Sequence, residues 1–95
     1  MAAYVLVDTD ITDAARYEEY KIAAKPIVES YGGRYLVRGG ALTVLEGDWQ
    51  PHRLVVLEFP DADAARRFYD SPEYRAARAV RAGAVRMRMV LVEGF

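Results

Sequence analysis

Cysteine is missing from this sequence altogether. No disulfide can brace the fold, and no thiolate metal centre can form. Histidine occurs once, at His52, which rules out a multi-histidine metal site, and no metal site is expected. Lysine occurs only twice, at Lys21 and Lys25, so arginine carries most of the positive charge. The net charge is only −1, too little for a dedicated nucleic-acid surface. No apolar run approaches the ~18 residues that a membrane span requires. Neither the G-x-G-x-x-G pattern nor the Walker pattern is present, and no Ser–His–Asp arrangement is recognisable. The opening stretch Met1–Asp8 lacks a basic region and meets an acid early, so it reads as a first strand rather than a signal peptide. A cytoplasmic protein is the expectation. The abundance of alanine and arginine accompanies GC-rich bacterial genomes.

What is present is one domain, residues 1–95. A chain this short buries a modest share of its surface and often needs a staple. Without cysteine, oligomerisation is the remaining device, and 53% apolar residues supply surface for it.

Residues 3–9 are apolar and β-branched, as a strand requires. Thr12 then stands where a helix N-cap belongs. Tyr17, Tyr20, Ala24, Ile27, Val28 and Tyr31 follow at helical spacing and read as core. Pro26 should kink or restart that helix, and Gly32-Gly33 should end it. Residues 34–38 and 41–46 are both extended in character. Gly39-Gly40 between them forms either a hairpin turn or a bulge in one long strand, and the sequence leaves both open. A loop over 47–52 leads to a strand over 53–59. Asp61 caps a second helix, which Ser71 and Pro72 restart. Gly83 stops it, and residues 86–92 form the last strand.

This order predicts an α+β fold, a ferredoxin-like β-α-β-β-α-β sandwich with an antiparallel sheet and two helices on one face. Both strand parities are apolar, however. Val55, Leu57 and Phe59 alternate with Leu54 and Val56, and Val90 and Val92 with Met87, Met89 and Leu91. Two helices cover one sheet face, and an apolar second face marks an association surface. A homodimer joined through the sheet face is therefore predicted.

Three stretches carry a family resemblance: Tyr31-Gly32-Gly33-Arg34-Tyr35-Leu36-Val37-Arg38-Gly39-Gly40, then Leu45-Glu46-Gly47-Asp48-Trp49, then Glu58-Phe59-Pro60 with Phe68-Tyr69-Asp70-Ser71-Pro72-Glu73-Tyr74. They resemble the bacterial family known as domain of unknown function 1330. The resemblance implies a dimeric α+β barrel. That architecture is shared by cofactor-free monooxygenases, muconolactone-isomerase-like enzymes and haem-binding relatives. The family itself has no settled activity, so the resemblance speaks to fold more than to function.

Arg38, Glu46 and Glu58 end or interrupt apolar strands and are the candidate catalytic residues. An Arg–carboxylate pair in a desolvated cavity would orient a small anionic or enolic ligand, and a buried Glu would serve as acid or base. The plainer reading makes them sheet-edge ion pairs or dimer contacts. Trp49, His52, Tyr69 and Tyr74 are the candidate ligand-binding residues. As pocket walls the aromatics would offer polar tips, and as structural residues they would simply pack. His52, beside Pro51 in a polar loop, reads as an exposed residue or else as a general base. Arg75, Arg78 and Arg81 form an i, i+3, i+6 row. Acids are interspersed nearby, so the row reads as a solvated helix face.

Two functions fit. One is a homodimer that binds or transforms a small organic molecule, without a cofactor, between sheet and helices. The other is a non-catalytic ligand-binding or interaction module. Neither nucleic acid nor membrane is an expected partner.

Overall fold

The computed structural model describes residues 1–95. The chain runs β1 (Ala3–Ile11), α1 (Ala14–Ser30), β2 (Arg34–Arg38), β3 (Leu54–Phe59), α2 (Ala62–Asp70), α3 (Pro72–Arg81) and β4 (Val85–Glu93). The four strands make one antiparallel sheet in the order β2-β3-β1-β4. β1 lies centrally, with Val5 opposite Leu57 on β3 and Leu91 on β4. The α+β ferredoxin-like architecture is as expected, and the helices all cover one face.

Alternation along the strands divides that sheet. Val5, Val7, Val55, Leu57 and Phe59 point toward the helices and join a core with Tyr17, Tyr20, Ala24, Val28, Phe68 and Tyr74. Tyr4, Leu6, Leu54 and Val56, of the opposite parity, are only half-buried, and Val90 and Val92 are exposed. The second face is therefore open in the single chain, and the sheet does not close on itself.

Local chemistry explains the helix ends, with some departures from the sequence reading. Asp13, not Thr12, caps α1, accepting the Arg16 amide at 3.2 Å. Thr12 instead donates its hydroxyl to the Gly83 carbonyl, tying the start of α1 to the turn before β4. Pro26 does not interrupt α1. Its missing amide leaves the Ile22 carbonyl without the usual helical donor, but both residues lie on the exposed face, where water can serve. Gly33 follows because nothing larger fits: a Cβ there would stand 2.7 Å from the Phe59 ring. Asp61 caps α2 and Ser71 caps α3, as the sequence indicates.

The largest departure follows β2. No strand forms over 41–46, and Gly39-Gly40 is neither a hairpin turn nor a bulge. The bulge sits earlier, between Tyr35 and Val37. Gly39 adopts φ +74°, donates its amide to the Leu54 carbonyl and turns the chain off the sheet. Residues 40–50 then run as an exposed arm, returning through Pro51 to β3. A strand needs a neighbour for its amides and carbonyls, and this segment has none in its own chain.

Candidate functional site

Tyr17 and Tyr20, three residues apart on α1, reach the core side by side, with ring centroids 5.7 Å apart. Tyr74 comes from the first turn of α3, and Tyr35 from the helix-facing side of β2. The four phenols surround a small cavity of about 30 Å³ between sheet and helices, with Thr9 beneath and Arg38 at its mouth. That volume holds a water molecule or two. The Tyr20 and Tyr74 hydroxyls are hydrogen-bonded at 2.7 Å. The Tyr17 hydroxyl accepts from Arg53 Nη1 at 2.8 Å. The Arg38 guanidinium lies over the Tyr35 ring, 4.5 Å from its centroid.

The electrostatics follow from this arrangement. Burial, reinforced by the neighbouring Tyr74, pushes the Tyr20 phenol far above the usual tyrosine range. Burial also raises Tyr35, against the opposing pull of Arg38. Both phenols stay protonated at neutral pH, so they can donate hydrogen bonds but cannot serve as bases. Outside the mouth, Lys21, Lys25, Arg38 and Arg53 line a wider surface concavity with Glu18. Both lysines of the chain are here. Glu18 pairs with Lys21 at 2.8 Å, while Lys25, Arg38 and Arg53 have no carboxylate within salt-bridge distance. Phenol donors inside and cations at the rim suit an oxygen that bears or develops negative charge.

The residues singled out from sequence are dispersed. Arg38 and Tyr74 share the cavity. Glu58 points to the opposite, open face and pairs with Arg34 at 2.6 Å. Glu46 and Trp49 lie on the exposed arm. The structure thus does not bring Arg38, Glu46 and Glu58 together within one chain. His52 also lies toward the open face, with Nδ1 3.7 Å from Asp8 and Nε2 3.8 Å from Asp10. Tyr69 lines a separate groove between α2 and β4, under the Arg78 guanidinium. Arg78 and Arg81 also cover the Tyr74 and Tyr20 rings, so the arginine row is partly a packing surface and not simply a solvated face. Sequence reasoning missed Tyr17, Tyr20, Tyr35, Lys21 and Arg53 as site residues. The available signal was Tyr17 and Tyr20, two polar-tipped aromatics on the helical stripe read as packing alone; no such pattern marks Tyr35, Lys21, Arg53 or the rim residue Lys25.

The sequence profile of one family, described as a domain of unknown function (DUF1330), matches residues 2–95. The chain belongs to the DUF1330 family. No curated protein matches this DUF1330 chain significantly. Solved structures do. A protein of unknown function from Rhodopseudomonas palustris is 22% identical, with a TM-score of 0.79 over 99% of this chain and 82% of that one. A dimeric ferredoxin-like protein of unknown function from Thermobifida fusca is 21% identical, with a TM-score of 0.66 over 99% and 92%. SnoaB, a cofactor-independent oxygenase from Streptomyces nogalater, is 14% identical, with a TM-score of 0.65 over 99% and 93%. At these identities the likeness shows that the DUF1330 chain shares their fold.

Proposed function

We propose that this DUF1330 protein is a cytoplasmic bacterial homodimer that binds or transforms a small organic molecule bearing an acidic or enolic oxygen. The ligand enters between sheet and helices, and no bound cofactor takes part. One observation carries the reading: tyrosine hydroxyls converge behind a rim of Lys21, Lys25, Arg38 and Arg53. The small cavity must widen to admit a ligand, by displacement of Arg38 and Tyr35 at its mouth. Lys21 and Arg38, the two charged groups that line the cavity, then face the ligand, and the phenols supply hydrogen bonds to its oxygen. Glu46 and Glu58 lie away from this cavity, Glu46 on the exposed arm and Glu58 on the open sheet face beside Arg34. The similar fold of a cofactor-independent oxygenase supports a catalytic role. The absence of a carboxylate or histidine base in the cavity favours the second reading, a binding module without catalysis.

Titration with small carboxylates and phenols, followed by NMR, tests the site. Shifts should centre on Tyr35, Arg38 and Tyr74, and Arg38→Ala should weaken binding at least tenfold. Binding that ignores Arg38, or shifts confined to other surfaces, would overturn the assignment. Recovery of the bound compound unchanged after aerobic incubation would favour the module over the enzyme.

A further inference from the structure

Lys21 and Lys25 stand one turn apart on α1 and share a face. Arg38 ends β2, and Arg53 stands just before β3. These cations come from three parts of the chain to one surface concavity of about 530 Å³, whose one carboxylate is Glu18. Lys21 takes up that carboxylate. A chain with a net charge of −1 thus leaves Lys25, Arg38 and Arg53 uncompensated in one place. Like charges gathered together repel, and the fold does not require them here. Lys25 is exposed, and its helix position would accept any good helix former.

The two arginines are held rather than loose. Arg38 stacks over the Tyr35 ring. Arg53 donates from Nη1 to the Tyr17 hydroxyl, and its guanidinium stands 5.5 Å from the centroid of that ring. Gly39 leaves room for it: a Cβ there would stand 2.7 Å from Arg53 Nε. A guanidinium has five N–H donors, so Arg53 keeps most of its donors after serving Tyr17. The walls of the phenol cavity therefore preorganise both cations for an acceptor arriving from outside. Lys21 and Arg38 line the cavity and the concavity alike, so the two spaces are continuous.

A carboxylate brings one charge and two oxygens, too few for three free cations. A phosphate monoester brings a charge of about −1.5 to −2 at neutral pH and three terminal oxygens. The inner cavity holds only a water or two, whereas the concavity has room for a phosphate before anything moves. We propose that the rim is a phosphate subsite and that the ligand is a phosphate monoester: its phosphate rests among Lys25, Arg38 and Arg53, while its organic body passes Tyr35 and sets an acidic or enolic oxygen against the phenols. This inference rests on the reading of the cavity given above and names a second anionic group of the same ligand. Arg38 links the two steps. Drawn outward to the phosphate, it leaves the mouth and opens the way past Tyr35.

Calorimetry and NMR on the full chain, with resorcinol monophosphate, resorcinol and inorganic phosphate as probes, test the subsite apart from the cavity. The monophosphate should bind about tenfold or more tightly than either of the other two, because charge-assisted bonds are added to the contacts of the ring. Lys25→Glu should weaken the monophosphate about tenfold or more, and its fold should survive because the residue is exposed on α1. Arg75→Glu makes the same charge change at an exposed position of α3 and should leave the affinity unchanged. A monophosphate that binds no better than resorcinol, with resorcinol still shifting Tyr35 and Tyr74, would overturn the phosphate subsite and leave the cavity reading standing. Inorganic phosphate binding as tightly as the monophosphate would show a free anion with nothing behind it, and would overturn the joined site. Equal losses in the two charge reversals would reduce the effect to bulk charge and overturn it as well. Failure of all three probes to bind would overturn both readings.

Discussion

Tyr20 and Tyr74, 54 positions apart in the chain, place their hydroxyls 2.7 Å from each other inside the core. The bond ties α1 to α3 across the layer that covers the sheet. It also makes each hydroxyl the other's partner. Tyr74→Phe should therefore cost about 1–3 kcal/mol, because it leaves the Tyr20 hydroxyl buried and unpaired. Tyr20→Phe should do the same to Tyr74. The double variant removes both polar groups and should cost less than the two single losses combined. Urea unfolding of the four proteins checks this. Strict additivity would show that the two hydroxyls are not coupled.

The same burial sets the alkaline limit. Tyr20 and Tyr35 are both raised in the folded chain, while in the unfolded chain each loses its proton near pH ~10. Above that pH the unfolded state sheds protons that the folded state keeps, so stability falls as pH rises. Below it these two groups have no effect on the slope. Thermal unfolding should show a decline that begins near pH ~10 and is shallower in Tyr20→Phe. Ultraviolet titration of the folded protein should show Tyr20 and Tyr35 ionising late, together with Tyr31, whose hydroxyl donates to Glu73. Simultaneous ionisation of all seven tyrosines would contradict the burial.

The element order and core stripe of α1 were legible because burial imposes a period: Tyr17, Tyr20, Ala24 and Val28 are all buried. The caps at Asp61 and Ser71 were legible because capping is local chemistry within four residues. Thr12 and Asp13 show the limit. Either can cap a helix, and the choice turns on Gly83, 71 positions from Thr12. Residues 41–46 show another limit. Their strand propensity is real, but pairing needs a neighbour that propensity does not supply. The site was harder still. Strand parity groups Glu58 with Leu54 and Val56, but it does not say which parity meets the helices. Only the packing shows that Arg38 and Glu58 lie on opposite sides of the sheet.

Ser71 offers a test at one junction. Its hydroxyl accepts the Tyr74 amide at 3.1 Å and donates to the Phe68 carbonyl at 2.8 Å, joining the end of α2 to the start of α3. Ser71→Ala should cost about 1 kcal/mol, the usual loss for a removed N-cap. The residue is buried, so no water replaces the lost bonds readily. A melting midpoint unchanged within error would show that Pro72 alone starts α3.

Asp8 governs the acid side. Burial opposes its ionisation, but the Arg88 guanidinium, the His52 and Arg53 amides and the nearby His52 ring outweigh it, so the carboxyl titrates below its ordinary value. A lowered carboxyl contributes stability that is present above the unfolded value, near ~3.9, and is lost as pH falls through the folded one. Asp8→Asn should flatten the acid unfolding profile below pH ~4. At neutral pH it should cost about 1–2 kcal/mol, since the Arg88 bond loses its charge. An unchanged acid midpoint would mean that other carboxylates dominate acid unfolding.

Val56 carries the prediction for assembly. It sits on β3 opposite Leu6 of β1 and Val37 of β2, at the centre of the open face. Around it Leu36, Val90 and Val92 remain between 45% and 61% exposed. If about 500 Å² of such surface per protomer is buried on association, the upper bound is on the order of 12 kcal/mol at ~25 cal/mol per Å². Lost translational and rotational freedom costs about 4–15 kcal/mol, a cost of the same size that burial on this scale can offset. Val56→Asp would place a charge among the apolar side chains at the centre of the open face. Its side chain faces away from the helices, so the single-chain core should survive. Light scattering at micromolar concentration should give twice the chain mass for the wild type and about one chain mass for the variant, with the helical circular dichroism of both alike. A wild-type mass near 10.7 kDa would refute the dimer, and the open face of Leu6, Leu54, Val56 and Val90 would then need a different cover.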